Sequence, residues 1–268
     1  MNRINRRSLI SSTAAFATTA LLGPAKGHAH QSSHEGPHEG ETHTHAPLLK
    51  SAHGAVSSTS LMTETATRLL ASFDAQQRAK ATFPFEDDER MNWHFIPKER
   101  KGLPLREMAP YQKHLASALL SAGLSQTGYI KAVTIMSLED VLRILENDGG
   151  ERRNPEKYYF SIFGTPSHEN AWGYRVEGHH VSQNYTVVNG NVIDGPSFFG
   201  ANPAEVRKGP RKGLRTLAAE DDLGLEVIQS LDLPKRKLAV VDPTAYKDIL
   251  TMARRRAALD TTRRRIVL

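Results

Sequence analysis

Between residues 158 and 199 the apolar side chains recur at every second position, and this commits the segment to strands. Residues 158–163 (YYFSIF) form one strand, and Gly164-Thr165-Pro166-Ser167 a turn. Residues 172–188 form a long strand or hairpin. Asn189-Gly190 is the dipeptide a type I′ turn requires, and residues 191–199 return. Within 172–188 the alternation changes phase. Trp172, Tyr174 and Val176 share one face, opposite Arg175 and Glu177; after Gly178 the apolar set is Val181, Tyr185 and Val187, opposite His180, Ser182, Asn184 and Thr186. A strict period of two permits such a flip only with one extra residue, and a bulge at Gly178 fits it best. A four-residue hairpin at residues 177–180, with both histidines at its tip, is the alternative.

The chain before residue 158 has the helical period. Leu61, Ala66, Leu69, Leu70 and Phe73 recur at three- and four-residue spacing, and Asp74 caps a second helix. An acidic loop (83–90), an aromatic stretch (91–97) and a basic turn (98–102) follow. A long helix then runs from Leu105 to Ala122 and stops at Gly123. Residues 130–145 are helical with a restart at Ser137, and 214–231 are helical again. The expected fold class is α+β: an antiparallel sheet of about residues 157–199 with helices packed on one side.

The 268-residue chain is long enough for a substantial core, and its net charge of +6 raises the question of nucleic acid. The charge sits at the ends. Of 35 Lys and Arg, four lie in residues 1–29 and six in 252–268; of 29 Asp and Glu, only Asp260 lies in either end. Residues 30–251 therefore carry 25 basic and 28 acidic side chains, net −3. A fold-wide basic face is absent and no nucleic-acid partner is expected. With no cysteine, disulfides, thiolate metal sites and a thiol nucleophile are excluded.

Residues 1–29 have the shape of an export signal. A basic start ends in Arg6-Arg7, a moderately apolar run covers 9–22, and small residues follow Gly23-Pro24. Residues 5–10 (NRRSLI) fit the twin-arginine pattern, with Ser11 in place of its usual Lys, so the twin-arginine export machinery is an expected partner. The run is too short and too polar for a stable membrane span. The expected location is periplasmic or secreted. Residues 30–59 read as a disordered histidine-rich tether; residues 28–53 hold seven of the twelve histidines, with His28/His30 and His43/His45 as His-x-His pairs able to bind a metal loosely. Residues 60–251 form the α+β domain and 252–268 an irregular arginine-rich tail.

A bulge at Gly178 would place Arg175, Glu177, His180, Ser182 and Asn184 on one polar face beside Tyr158, Tyr159, Trp172 and Tyr174. A cation, a carboxylate, an imidazole, a hydroxyl and an amide can act as acid, base or ligand donors. His180, Glu177 and Arg175 are the candidate catalytic residues, with Asn184, Ser182 and His94 binding ligand. An ordinary solvated sheet face is the bland alternative. His179 and His180 are candidate ligands for a divalent metal, although adjacent strand residues point to opposite faces. Arg211 and Lys212, in the basic loop of residues 207–215, are candidate anion-binding residues; no Walker-type spacing is present.

Several strings together carry a family resemblance. They are NWHFIP (92–97), RKGL (100–103), GYIKA (128–132), YFSIFGTP (159–166), WGYRVEGHHVS (172–182), SFFGANP (197–203) and GPRKGL (209–214). Over about residues 64–250 the chain resembles the bacterial family called domain of unknown function 3500. The resemblance implies no activity, cofactor or catalytic residue. It does imply a longer C-terminal half, so the chain looks C-terminally truncated. Residues 70–81 are echoed at 228–239, as though a second unit opened there. The expected function is that of a hydrolase-like, metal-assisted enzyme. The rival is a non-catalytic periplasmic binding protein for a small anionic or metal ligand, or an inactive shortened family member.

Overall fold

The computed structural model describes residues 57–244, 247–249 and 253–254. The signal-like segment, the histidine-rich stretch up to residue 56 and most of the arginine-rich tail lie outside the described residues.

Helix α1 (Ser58–Ala71) starts two residues before the expected domain boundary, where the Ser57 hydroxyl accepts the Ser60 amide at 3.2 Å. Asp74 caps α2 (Ala75–Ala81). Its carboxylate accepts the Gln77 amide at 2.8 Å and the Gln77 side chain accepts the Asp74 amide at 3.2 Å, a reciprocal capping box. Helix α3 (Pro110–Ala122) begins later than the periodicity predicts. Pro110 occupies its first turn, and Leu105–Glu107 form a separate 3-10 turn. Helix α4 (Gln126–Leu145) passes Ser137 without the expected restart. There Arg211 donates to the Ser137 carbonyl at 2.9 Å and to its hydroxyl at 2.8 Å, while the hydroxyl donates to Thr134 O at 2.6 Å. Helices α5 (Ala218–Ser230) and α6 (Leu233–Ala239) complete the helical set.

The sheet is mixed but mostly antiparallel. Its long strands are β3 (Tyr159–Phe163), β4 (Trp172–Glu177), β5 (Val181–Val188) and β6 (Asn191–Phe199), paired antiparallel in that order. Two short strands lie along the outer edge of β3: β1 (Thr82–Phe83), parallel to it, and β2 (Leu103–Pro104), antiparallel. The α+β class holds, and the sheet extends beyond the predicted range through these two pieces. Asn189 and Gly190 both have positive φ (49° and 74°), as the β5–β6 turn requires.

The phase flip at Gly178 is a hairpin and not a bulge. Gly178 N–H donates to Val181 O at 2.8 Å, so His179 and His180 are the two loop residues. Paired residues of an antiparallel ladder point the same way. The register Arg175↔Asn184 and Glu177↔Ser182 therefore puts these four side chains on one face, as a bulge would have done, for a different reason. The bulge of this region lies between β5 and β6, where Asn184 stands opposite Gly195 and Pro196.

The two sheet faces differ. Trp172, Tyr174, Val176, Val181, Tyr185 and Val187 join Phe160 and Ile162 in a core shared with α1, α3 and α4. The opposite face is roofed by the chain around residues 85–101. The helices approach the first face closely at Gly123, the C-cap of α3. Tyr185 donates to its carbonyl at 2.8 Å, and a Cβ there would lie 2.4 Å from the Tyr185 ring. No residue of α5 or α6 is buried, and Leu223, Leu225 and Leu233 are more than half exposed. Among the described residues no helix is long and apolar enough to cross a membrane.

Gly123 has φ −93°, open to any residue, so the cost of Gly123→Ala is steric alone. We expect about 1–3 kcal/mol of lost stability in urea denaturation. Gly149→Ala, where a Cβ meets nothing within 4 Å, should leave the midpoint unchanged.

Candidate functional site

The roofed face is built around one carboxylate. Glu177 is 1% exposed; its Oε1 lies 3.3 Å from Arg175 Nε and 3.4 Å from Arg100 Nε, and its Oε2 accepts the His94 amide at 3.0 Å. Arg175, equally buried, donates to Glu89 Oε1 at 2.6 Å and to Glu89 O at 2.7 Å. Arg100 donates to the carbonyls of His94 (2.9 Å), Ile96 (2.6 Å) and Gly178 (3.0 Å). Two guanidinium groups and two carboxylates balance in charge. They tie the 89–100 chain to the sheet and to the histidine turn. Burial pushes the Glu177 carboxyl above the ordinary carboxylate range, and Arg175 and Arg100 pull it part of the way back.

The predicted polar row is thus assembled, in part with other duties. Ser182 Oγ lies 3.5 Å from Glu177 Oε2 and accepts Asn184 Nδ2 at 3.1 Å. His94 brings its backbone to Glu177, while its ring Nδ1 accepts the Phe95 and Ile96 amides at 3.0 and 3.3 Å. Burial, then Lys98 and Arg100, hold the His94 imidazole below its usual pKa. Arg211 is engaged with Ser137 and Lys212 is exposed, so these two stand apart from the row.

His180 leaves the polar row for the turn, with φ 62°. Its amide donates to Phe95 O at 2.9 Å and its carbonyl accepts Gly200 N–H at 2.8 Å; its Nδ1 is buried with no hydrogen-bond partner. Burial first, then His179 and Arg153, lower its pKa to about 4. The imidazole is neutral at pH 7.

His179 opens onto a different space, a cleft of about 340 Å³. Lys98, Arg100, Glu139, Lys157, Tyr158 and His179 line it, with Arg152 and Asn154 at its side. Glu139 is 3% exposed on the core-facing stripe of α4, and its Oε1 is in close contact with His179 Nδ1. Arg153 Nη1 stands 3.2 Å from the same nitrogen, and Arg153 binds Glu146 through Nη2 (2.8 Å) and Nε (2.9 Å). A guanidinium only donates and a carboxylate only accepts, so one ring nitrogen cannot bond both. The closer partner is Glu139, which assigns the proton to Nδ1 and leaves a lone pair on Nε2. Tyr158 locks the turn by donating to His179 O at 2.7 Å.

The rings of His179 and His180 lie 4.1 Å apart at 51°. Among the described residues no group of three or more His, Asp or Glu side chains is placed to hold a metal ion. Glu139 and Arg153 escaped the sequence reading. The available signal was the position of Glu139 in the stripe Ala132, Ile135, Leu138, Leu142, where an apolar residue belongs.

One mostly antiparallel sheet, helices on one face and a roofed charge cluster on the other define an α+β domain. The chain belongs to the family described as protein of unknown function DUF3500, whose model matches residues 55–263. No curated protein and no solved structure matches it.

Glu177→Gln leaves two buried guanidinium groups facing Glu89 alone, and should cost about 3–5 kcal/mol in denaturant titration. The His180 shift has the opposite reach. The unfolded chain takes up this proton near pH 6.5 and the folded chain near 4, so its contribution is full above about 6.5 and is lost as the pH falls. His180→Asn, a residue that tolerates positive φ, should flatten the fall in stability between about pH 6.5 and 4.5, by on the order of 2 kcal/mol.

Proposed function

We propose that this protein is an exported hydrolase-like enzyme acting on a small anionic ester, with the Glu139–His179 pair as its acid–base machinery. The observation that carries the reading is a carboxylate-oriented imidazole in a cleft whose lining carries Glu99 and Glu151 besides Glu139, and one cation, Lys98, left without a carboxylate partner among the described residues. Lys98 has no ion-pair partner among the described residues, and Arg100, Arg152 and Lys157 stand around the same space. Periplasmic or secreted location follows from the export-signal pattern of residues 1–29 and belongs to the same proposal.

The chemistry needs only groups already placed. Lys98 draws the substrate's anionic group into the cleft. A water molecule attacks the ester carbonyl and gives its proton to His179 Nε2; Glu139 holds the Nδ1–H tautomer and stabilises the imidazolium. The imidazolium then returns the proton to the departing alkoxide as the carbon–oxygen bond breaks. Arg100 faces the charge that develops on the carbonyl oxygen. Glu177, the first catalytic candidate, serves here by holding Arg100, and Arg175 by holding Glu177.

A binding protein for the same class of anion is the second reading. It is favoured by the absence of a serine or threonine among the residues lining the cleft. The two separate on a panel of chromogenic esters with and without a carboxylate. His179→Gln should lower kcat by about 10²–10⁴, Glu139→Gln should follow it in kcat, and Lys98→Ala should raise KM for the anionic esters alone. Wild-type turnover by His179→Gln would remove the Glu139–His179 pair from catalysis, and no turnover of any ester by the wild type would remove the enzyme reading. Thermal stabilisation by an anionic ester without any turnover would establish the binding reading instead.

A further inference from the structure

A second cavity, of about 490 Å³, shares no lining residue with the histidine cleft. Its walls are largely apolar. Trp93, Phe163 and Ile193 line it together with Arg90, Arg175 and Asn184, and no carboxylate is among its lining residues. The volume is within the range that holds a small organic ligand.

Three of its groups are chemically specific. Asn184 is 7% exposed, and its Nδ2 donates to Pro196 O at 2.6 Å and to Ser182 Oγ at 3.1 Å. A carbonyl accepts only a donor, so the amide orientation is determined and Oδ1 is the remaining acceptor. That oxygen is buried and has no hydrogen-bond partner. An unmatched acceptor of this kind costs about 1–3 kcal/mol, which a ligand donor would recover. Arg90 is half-buried at the wall. Its guanidinium lies 4.5 Å over the Phe85 ring, donates to Phe85 O at 3.1 Å and reaches Thr186 Oγ1 only at 3.4 Å; no acidic side chain pairs with it among the described residues. Arg175 is committed to Glu89, and Arg254, which also lines the cavity, is exposed to solvent, so the cation built into the wall and free for a ligand is Arg90. Trp93 and Phe163 supply aromatic surface to the same lining.

We infer that this cavity binds a small aromatic carboxylic acid bearing a ring hydroxyl or N–H. The carboxylate pairs with Arg90, the ring packs against Trp93 and Phe163, and the ring donor completes Asn184 Oδ1. Each demand excludes simpler molecules: an aliphatic acid leaves the aromatic walls unfilled, a phenol leaves Arg90 unpaired, and a plain benzoate leaves Asn184 unmatched. The site is separate from the Glu139–His179 cleft and its occupancy does not depend on that cleft's chemistry.

Trp93 reports the test. The other tryptophan, Trp172, is fully buried on the helix-facing side of the sheet, so quenching by a ligand in this cavity is read on Trp93. The full chain is titrated with 4-hydroxybenzoate, benzoate and phenol by fluorescence and by calorimetry. We expect 4-hydroxybenzoate to bind about tenfold more tightly than benzoate, and phenol more weakly than either. Arg90→Gln should weaken both acids at least about tenfold, and Asn184→Ala should erase the preference for the hydroxyl. Should Asn184→Ala fail to fold, Ile193→Trp serves in its place. Ile193 is 59% exposed at the rim, so a larger side chain can cap the cavity without entering the core, and binding should be lost. His179→Gln should bind the acids like the wild type. The proposal is overturned if millimolar 4-hydroxybenzoate gives no signal in the wild-type protein. Equal affinity for the two acids, or unaltered binding in Ile193→Trp, would overturn it as well.

Discussion

Glu177 has almost no water around it, and three groups converge on its two oxygens, one from its own strand and two from the distant stretch between His94 and Arg100. Arg175 comes from its own strand, Arg100 from the basic turn, and the His94 amide from the aromatic stretch. A buried charge is tolerated only when paired and hydrogen-bonded, and here that requirement positions a loop. Beyond the cluster, the chain around residues 85–101 is held by the His180 amide on Phe95 O, by Tyr159 and Lys157 on Glu99, and by the contacts of Trp93 and Phe95 with Phe198. With the cluster, that segment becomes a roof, and the spaces left at its two ends are the two cavities.

The turn made by His179 and His180 depends on the same cluster, since Arg100 also binds Gly178 O. The two neighbours then meet opposite environments. His180 is packed against Gly200, where a Cβ would come within 2.5 Å of its Nδ1, and it stays neutral. His179 turns toward α4 and takes a carboxylate partner. A strand would have sent these side chains to opposite faces of one sheet. The hairpin sends one into the roof and the other to the helix layer.

What could be read from the chain was what local chemistry determines. Period-two alternation located three strand segments, of which 172–188 proves to be two strands, Asn189-Gly190 located a turn, and Asp74 located a cap, because each is decided within a few residues. The likeness between residues 70–81 and 228–239 has a local counterpart too: Asp232 caps α6 by accepting the Lys235 amide at 2.8 Å, as Asp74 accepts that of Gln77. Misreadings arose where a distant group decides. A phase flip is equally consistent with a bulge and a tight hairpin, and only the pairing of β4 with β5 separates them. Ser137 looks like a helix start until Arg211 is brought to it. Glu139 reads as an ordinary helix carboxylate unless its partner 40 positions away is known. The candidate row Arg175, Glu177, Ser182, Asn184 was legible as a face, but its burial beneath a loop was not, because nothing in an alternating pattern tells a solvated face from a roofed one.

Arg100 lines the histidine cleft and Arg175 lines the aromatic cavity, yet both approach the same oxygen, Glu177 Oε1. The carboxylate therefore acts as a shared counterion for residues that line two cavities. Any displacement of Arg100 leaves Arg175 to carry more of that negative charge, and the reverse holds for a displacement of Arg175. Linkage makes any such effect equal in both directions, so the sign and size of the communication between the two cavities are set by how two guanidinium groups divide a single charge.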